Sequence, residues 1–149
     1  MGFYNDKIVP RLVTCACGTK PILKQREKVV PQAQGNVLEI GMGAGHNLPY
    51  YDPQRVQSIV GIDPCQTSWR LAASRAAQVG VPLDFVEGSA EKMPLPAAQF
   101  DTVLMTYSLC TIPDAHAALA EIGRVLKPGG SLVFCEHGQA PDPGVASWQ

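Results

Sequence analysis

Short apolar runs rich in β-branched residues alternate with helical apolar spacing from residue 36 onward. This alternation is typical of βαβ units, which form a mostly parallel sheet with helices on both faces. We therefore predict an α/β, doubly wound, Rossmann-like fold. The predicted strands cover residues 37–40, 58–62, 83–86, 102–106 and 131–135.

Two helices of this core are predicted in some detail. One follows the second strand from about Gln66 to Val79, and Gly80 is placed to end it. Asp114 is placed to cap the other, which stops at the Lys-Pro-Gly-Gly run of residues 127–130. Their apolar positions at helical spacing are Leu71, Ala72, Ala76 and Val79, and then Leu119, Ile122 and Leu126.

The first 35 residues predict two short amphipathic helices outside the sheet, broken by Pro10, Gly18 and Pro21. Ligands of doubly wound folds bind beyond the carboxyl ends of the strands, so this segment is either a lid over that crevice or an appendage packed on the sheet. We divide the chain into an N-terminal helical lid segment, 1–35, and a core, 36–149. The helical apolar positions are Ile8, Val9, Leu12, Val13, Ile22, Leu23, Val29 and Val30.

Charge, hydropathy and cysteine content exclude several classes of partner and site. Twelve basic and thirteen acidic residues give a net charge of −1, without the basic face that nucleic-acid binding requires. No apolar run is long enough for a transmembrane segment and no signal-peptide pattern opens the chain, so a cytoplasmic protein is expected. Cys15 and Cys17 resemble half of a zinc site, but no second pair follows, and we predict no metal. The scattered cysteines at 15, 17, 65, 110 and 135 indicate free thiols.

A glycine-rich loop follows the first strand, with Gly41, Gly43 and Gly45 at every second position. Glycines let a backbone approach a ligand without Cβ clashes. A dinucleotide-binding loop has a further glycine where His46 stands. This departure argues against NAD and for a ligand without a diphosphate.

Asp63 lies just beyond the second strand, where its carboxylate can accept hydrogen bonds from both hydroxyls of a ribose. The alternative is that Asp63 caps the following helix. The turn at residues 87–91 follows the third strand and can present backbone amides and a small polar side chain to an adenine edge.

The order of these motifs closely resembles the class I methyltransferases that use S-adenosylmethionine. The resemblance covers roughly residues 35–137 and includes Phe-Asp-Thr-Val at 100–103 and Arg-Val-Leu-Lys-Pro-Gly-Gly at 124–130. Residues 108–114 and 134–137 further resemble type 11 methyltransferases, including phosphatidylethanolamine and ubiquinone-pathway enzymes and their thiol-methylating relatives. The resemblance implies five strands in the order 3-2-1-4-5, with strands 6 and 7 of the family fold missing.

The resemblance also implies site roles. Gly41 and Gly43 would lie under the methionine part of S-adenosylmethionine, and Glu39 would support its amino group through water. Asp63 would bind the ribose, with Pro64 and Cys65 beside the adenine. The adenine pocket would be lined by Ser89, Ala90 and Glu91, with the Ala90 N–H as the donor. Gly45 completes the loop, and Met105, Thr106 and Tyr107 follow the fourth strand nearest the transferred methyl group.

A general base is needed only if the acceptor must lose a proton early. Candidate catalytic residues are Tyr107, His46, His137 and His116. Each has a structural alternative: His46 can cap the first helix, His116 can face solvent, and His137 can simply follow the strand.

Three hypotheses stay open at this point. They are a methyltransferase acting on a small-molecule or lipid-type acceptor with S-adenosylhomocysteine as product, a non-catalytic cofactor-binding module or truncated enzyme, and an NAD-dependent oxidoreductase. The fifth strand at 131–135 would form an apolar sheet edge. We expect this edge to be covered by a second copy of the chain, as a homodimer, or by the C-terminal tail.

Overall fold

The computed structural model describes residues 18–138 and 144. It contains a five-stranded parallel sheet in the order β3-β2-β1-β4-β5, which confirms the predicted fold and strand order. The strands are β1 (Gly35–Ile40), β2 (Val56–Asp63), β3 (Leu83–Glu87), β4 (Phe100–Thr106) and β5 (Leu126–Cys135).

Four α-helices accompany the sheet in the described residues, and short 3₁₀ turns lie at Val30–Gln32, Leu48–Tyr50 and Leu109–Thr111. Two apolar clusters pack on the sheet's two faces, with Val37 and Ile59 in one and Leu38 and Ile62 in the other. This alternation along β1 and β2 is what a strand covered on both faces requires. The helices are α1 (Lys20–Val29), α2 (Gln66–Arg70), α3 (Ala73–Ala76) and α4 (Ala115–Val125).

The single helix predicted for residues 66–79 is wrong, because the segment forms α2 and α3 with a turn between them. At the turn, the Leu71 N–H donates to the Ser68 carbonyl and the Ala72 N–H to the Trp69 carbonyl, a tighter i to i−3 pattern than that of an α-helix. The change of pitch leaves Leu71 exposed while Ala72 is buried. Gly80 has φ +76° and follows the segment as expected.

Pro21 does not break the second N-terminal helix. It lies in the first turn of α1, where a missing N–H costs nothing because that donor has no intrahelical acceptor. The first predicted helix, around residues 8–13, and the Cys15 and Cys17 pair lie outside the described residues.

The Asp114 cap is confirmed, since its Oδ1 accepts the Ala117 N–H at 3.0 Å. Helix α4 ends at Val125, so Leu126 belongs to β5 instead of continuing the helix. Within residues 18–138 no helix is long and apolar enough to cross a membrane.

Candidate functional site

A cavity of about 690 Å³ opens at the carboxyl ends of β1, β2 and β4. Its volume lies within the range of about 300–1,000 Å³ typical of small-molecule sites. Strand β1 pairs with β2 on one side and β4 on the other, so the cavity lies where the strand order reverses, the usual ligand position in such sheets. The predicted site residues that line it are Gly41, Gly43, His46, Asp63, Pro64, Cys65, Ser89, Ala90, Glu91, Thr106 and Tyr107.

The glycines of the loop have two roles: one leaves space for a ligand, and the others allow close packing on neighbouring side chains. A Cβ on Gly43, which has φ +51°, would come no closer than 3.8 Å to any neighbour, so this glycine keeps open space at the cavity wall. A Cβ on Gly41 would collide with the Ser108 side chain, and one on Gly45 would lie 2.7 Å from Leu48 Cδ1. Gly45 does not line the cavity, and its lack of a side chain allows the loop to pack on the core.

Asp63 is held by the backbone of both flanking loops. Its Oδ2 accepts the Gly43 N–H at 2.9 Å, and its Oδ1 accepts the Cys65 N–H at 2.8 Å. Burial raises the pKa of Asp63, against the two amide hydrogen bonds that lower it. The N-cap of α2 is Cys65, so the helix-cap alternative for Asp63 is wrong. Each carboxylate oxygen has a second lone pair and can accept a ligand hydroxyl.

The turn after β3 is fixed by its own side chains. The Ser89 hydroxyl donates to Glu91 Oε2 at 2.7 Å, and Glu91 Oε1 accepts the Asp114 N–H at 2.8 Å. The hydroxyl proton of Ser89 is therefore used inside the turn. We call Gly43, Asp63, Cys65, Ser89 and Glu91 together the Asp63 end of the cavity.

At the other side, a buried side-chain network starts from Arg26 on α1, which is only 5 % exposed. Its Nη1 donates to Asn47 Oδ1 at 2.7 Å and to Thr106 Oγ1 at 2.6 Å. Asn47 Nδ2 donates in turn to Glu39 Oε1 at 3.0 Å, and the Tyr51 hydroxyl donates to Glu39 Oε2 at 2.7 Å. We call these five residues the Arg26 network.

Glu39 lies beneath the cavity and does not line it. Burial raises the pKa of Glu39 to about 7, although the hydrogen bonds from Tyr51 and Asn47 and the charge of Arg26 oppose the shift. Both oxygens of Glu39 already have protein donors. Glu39 therefore connects to the cavity wall through Asn47 and Thr106.

Tyr107 follows β4 with the unusual φ of +54° for a non-glycine residue. The Arg26 guanidinium lies 5.2 Å from its ring centroid, and the His137 ring is tilted against it at 4.8 Å. Burial, together with a hydrogen bond from the Cys135 thiol, raises the pKa of Tyr107 to about 12. The phenol therefore stays protonated near neutral pH and is not a suitable general base there.

The three histidines are placed differently. His46 lines the cavity, and because the 3₁₀ turn Leu48–Tyr50 follows instead of an α-helix, the structural alternative that His46 caps a helix is wrong. His137 does not line the cavity, but its ring contacts that of the cavity residue Tyr107, whereas His116 is exposed on α4.

Sequence reasoning missed Arg26, its acceptor Asn47, and Tyr51, which donates to Glu39. A signal was present: Arg26 follows Ile22 by four positions and precedes Val29 by three, so it shares the apolar face of α1. A charged residue on such a face is a candidate for a buried role.

Comparison with protein families shows that the methyltransferase domain matches residues 38–134. That stretch begins in β1, contains the whole glycine loop and Asp63, and ends in β5.

Among individual proteins, the chain is 34 % identical over 113 residues to the uncharacterized methyltransferase YcgJ of Bacillus subtilis, covering 75 % of this chain and 44 % of YcgJ. The YcgJ crystal structure superposes with a TM-score of 0.70 at 32 % identity, over 85 % of this chain and 54 % of that one. A phosphatidylethanolamine N-methyltransferase of Cereibacter sphaeroides is 30 % identical over 69 % of this chain and 51 % of its own length. A phthiotriol/phenolphthiotriol dimycocerosates methyltransferase of Mycobacterium tuberculosis is 33 % identical over 76 % and 41 %. The chain thus spans about half the length of these relatives.

Proposed function

The chain belongs to the methyltransferase domain family, and from this premise we propose that it transfers a methyl group from S-adenosylmethionine to a small-molecule or lipid-type acceptor. The observation that supports this most is the Asp63 carboxylate at the end of β2, held against the open Gly43 backbone at the cavity wall. A dinucleotide oxidoreductase is disfavoured by the family match and by His46 in the loop.

The cavity residues fit this cofactor. Asp63 retains lone pairs for two ribose hydroxyls, and Gly43 leaves the space above the loop open. The turn from Ser89 to Glu91 stands beside Asp63 at the end of β3 and would hold the adenine. When bound, S-adenosylmethionine supplies a methyl group on a positively charged sulfur, which needs no further activation.

The protein's own contribution is then positioning and exclusion of water. Asp63 and the glycine loop fix one end of the ligand, while Tyr107 and Ile112 form the wall beyond β4. Orientation of this kind can contribute roughly 7–11 kcal/mol to a reaction barrier in favourable cases. Helix α1 places Arg26 in the same wall, which supports the proposal that the N-terminal segment covers the cavity.

The acceptor class is supported by the relatives and by the cavity. Two relatives are named for lipid substrates, phosphatidylethanolamine and phthiotriol dimycocerosates. Apolar side chains such as Ile40, Ile62, Ile112 and Pro113 line much of the cavity and suit an acceptor with an apolar part.

Turnover measurements test this function. Methyl-labelled S-adenosylmethionine would be incubated with thiols, amines, phenols and phosphatidylethanolamine vesicles, with Asp63→Ala as the matched inactive control. We expect label transfer to one acceptor class by the wild-type protein alone. Tight S-adenosylhomocysteine binding without transfer to any class would instead favour a non-catalytic cofactor-binding module.

The homodimer is a separate proposal. Among the described residues β5 pairs with β4 alone, and Phe134 on β5 is 62 % exposed. Pairing of this edge with itself about a twofold axis would cover the unpaired side of β5 and the exposed Phe134 side chain. Size-exclusion chromatography with light scattering should give a dimer, whereas a monomer with rapidly exchanging β5 amides would contradict the proposal.

A further inference from the structure

Tyr107 brings to the cavity wall a hydrogen-bond donor that the described part of the chain does not use. Its hydroxyl oxygen accepts the Cys135 thiol at 3.4 Å, and no described residue accepts the hydroxyl proton. Sulfur is a weak acceptor, so this proton is available for a better one. Because burial and the contact with Cys135 raise the pKa of Tyr107 to about 12, the phenol keeps its proton across the neutral range.

The backbone of Tyr107 is held in an uncommon conformation. Its φ of +54° lies in the left-handed region, which is rare for a bulky side chain. The Tyr107 N–H donates to the Cys135 carbonyl at 2.9 Å, and the Ser108 N–H donates to Glu136 Oε1 at 2.9 Å. These two hydrogen bonds stabilise a strained residue at the cavity wall, and backbone strain of this kind is concentrated at functional sites.

Charged and titratable groups surround Tyr107 from two elements. The Arg26 guanidinium of α1 lies 5.2 Å from the ring centroid, and its positive charge makes the phenol a stronger donor. At the end of β5 and beyond it, the Cys135 thiol donates to the hydroxyl, the charge of Glu136 acts on it, and the His137 ring is tilted against it. None of these last three residues lines the cavity. A molecule bound in the cavity therefore meets the phenol and not the groups behind it.

A hydrogen-bond donor at this position suits some nucleophiles and not others. An oxygen or sulfur atom that accepts one hydrogen bond keeps a second lone pair, which can attack a methyl carbon. A neutral amine nitrogen has a single lone pair, so a hydrogen bond from the phenol would occupy the pair that the reaction needs. A donor also stabilises the anion of an oxygen or sulfur acid relative to its neutral form, which lowers the pKa of that acid.

We propose that Tyr107 binds the methyl acceptor, and that its hydroxyl donates a hydrogen bond to an oxygen or sulfur nucleophile that reacts as its anion. This inference rests on the proposed function and narrows the acceptor to acids such as phenols and thiols. The anion forms a bond to the methyl carbon, while the carbon–sulfur bond of the cofactor breaks and leaves its electron pair on sulfur, as the thioether of S-adenosylhomocysteine. The acceptor's proton passes to solvent before this step, and Tyr107 keeps its own proton throughout.

The competing explanation is that Tyr107 only fills the space between Arg26 and His137. Tyr107→Phe separates the two explanations, because it keeps the ring and removes the hydroxyl alone. A ring that only packs would leave the ionisation of the acceptor unchanged. A donor to the acceptor would, on its loss, raise the pKa of the bound acceptor.

Methyl transfer from labelled S-adenosylmethionine would be measured with para-butylphenol, para-butylthiophenol and para-butylaniline. These three differ only in the nucleophilic atom, and each carries an apolar part for the cavity. The proteins would be wild type, Tyr107→Phe and the control Tyr50→Phe. Tyr50 is partly exposed and lies outside the cavity, and its hydroxyl makes no hydrogen bond within the described residues. Circular dichroism and titration with S-adenosylhomocysteine would verify folding and cofactor binding.

We expect the wild type to methylate the phenol, the thiophenol or both, and not the aniline. At neutral pH, Tyr107→Phe should lower kcat/KM for that acceptor roughly ten- to hundredfold, the size of a hydrogen bond to a charged group. The acidic limb of its kcat–pH profile should move to higher pH by about one unit, because the bound acceptor then ionises less readily. Its affinity for S-adenosylhomocysteine should be that of the wild type, and Tyr50→Phe should match the wild type in every measurement.

Transfer to the aniline as fast as to the other two, or a Tyr107→Phe protein with the rate and pH profile of the wild type, would overturn this inference and leave the proposed function intact. A lower rate with an unmoved pH profile, or an equal loss of S-adenosylhomocysteine affinity, would overturn it in favour of a packing role. Wild-type protein that methylates none of the three would also overturn it. Phosphatidylethanolamine vesicles in the same assay would then decide whether the proposed function stands.

Discussion

The two ends of the cavity are built from different kinds of group. At the Asp63 end, a carboxylate accepts backbone N–H groups from two loops that follow β1 and β2. In the Arg26 network, side chains from α1, β1, β4 and the segment after the glycine loop bond to one another, with Arg26 and Thr106 eighty positions apart in the chain.

This difference determines what a substitution can do at each end. Backbone amides persist whatever side chains they carry, so the Asp63 end depends mainly on Asp63 and on the glycines that leave room. The Arg26 network depends on every member, because the loss of one leaves another buried polar group unpaired. It also contains a group that titrates near neutral pH.

The largest effect should come from Gly43→Val. A β-branched side chain at φ +51° is strained and would occupy the ligand's space, so we expect titration with S-adenosylhomocysteine to show no binding. Gly129→Val is the matched control, because Gly129 has φ +81° with nothing within 4 Å of a Cβ and lies away from the cavity. It should carry similar strain and retain affinity. A folded Gly43→Val protein that titrates like wild type would remove the loop from the site.

Asp63→Ala should have the next largest effect. It removes the acceptor for the ribose hydroxyls and for the Gly43 and Cys65 amides, and we expect binding of S-adenosylhomocysteine to weaken by about 3 kcal/mol, roughly a hundredfold. Asp84→Ala changes an exposed aspartate on β3 and should leave the titration unaltered. Unchanged affinity in Asp63→Ala would exclude Asp63 from the site.

Glu39→Gln tests the pH dependence of stability that the Arg26 network introduces. The pKa of Glu39 is about 7 in the fold against an ordinary value of 4.5, so folding favours its protonated form. Its contribution to stability is complete below about pH 4.5 and is lost as the pH rises to about 7. We expect thermal melts between about pH 5 and 8 to show the wild type losing stability relative to Glu39→Gln as the pH rises. If the melting temperatures of the wild type and Glu39→Gln change by the same amount with pH, Glu39 does not titrate in this range.

Ser89→Ala should have the smallest effect. The hydroxyl braces its own turn through Glu91, so its loss costs about 1 kcal/mol of stability and changes ligand affinity less than Asp63→Ala does. Thermal melts and the same titration measure both quantities. A loss of affinity as large as that of Asp63→Ala would identify Ser89 as a direct ligand contact.

The two ends also differ in how far they could be predicted. The five strands and Asp63 follow from local patterns, because apolar runs set the strands and the residue after a parallel strand points to the ligand edge. The apolar face of α1 indicates a buried Arg26, but its hydrogen-bond partners could not be predicted, since they lie on elements distant in the chain. The break between α2 and α3 was missed for a related reason: apolar spacing indicates a face but not the local tightening seen at Leu71.

A crystal structure with S-adenosylhomocysteine would test both ends at once. We predict the ribose hydroxyls within hydrogen-bond distance of the Asp63 carboxylate and the methionyl part of the ligand over Gly41 and Gly43. Density for the ligand in the reverse orientation, or bound away from the Gly43 loop, would contradict this assignment of the cavity.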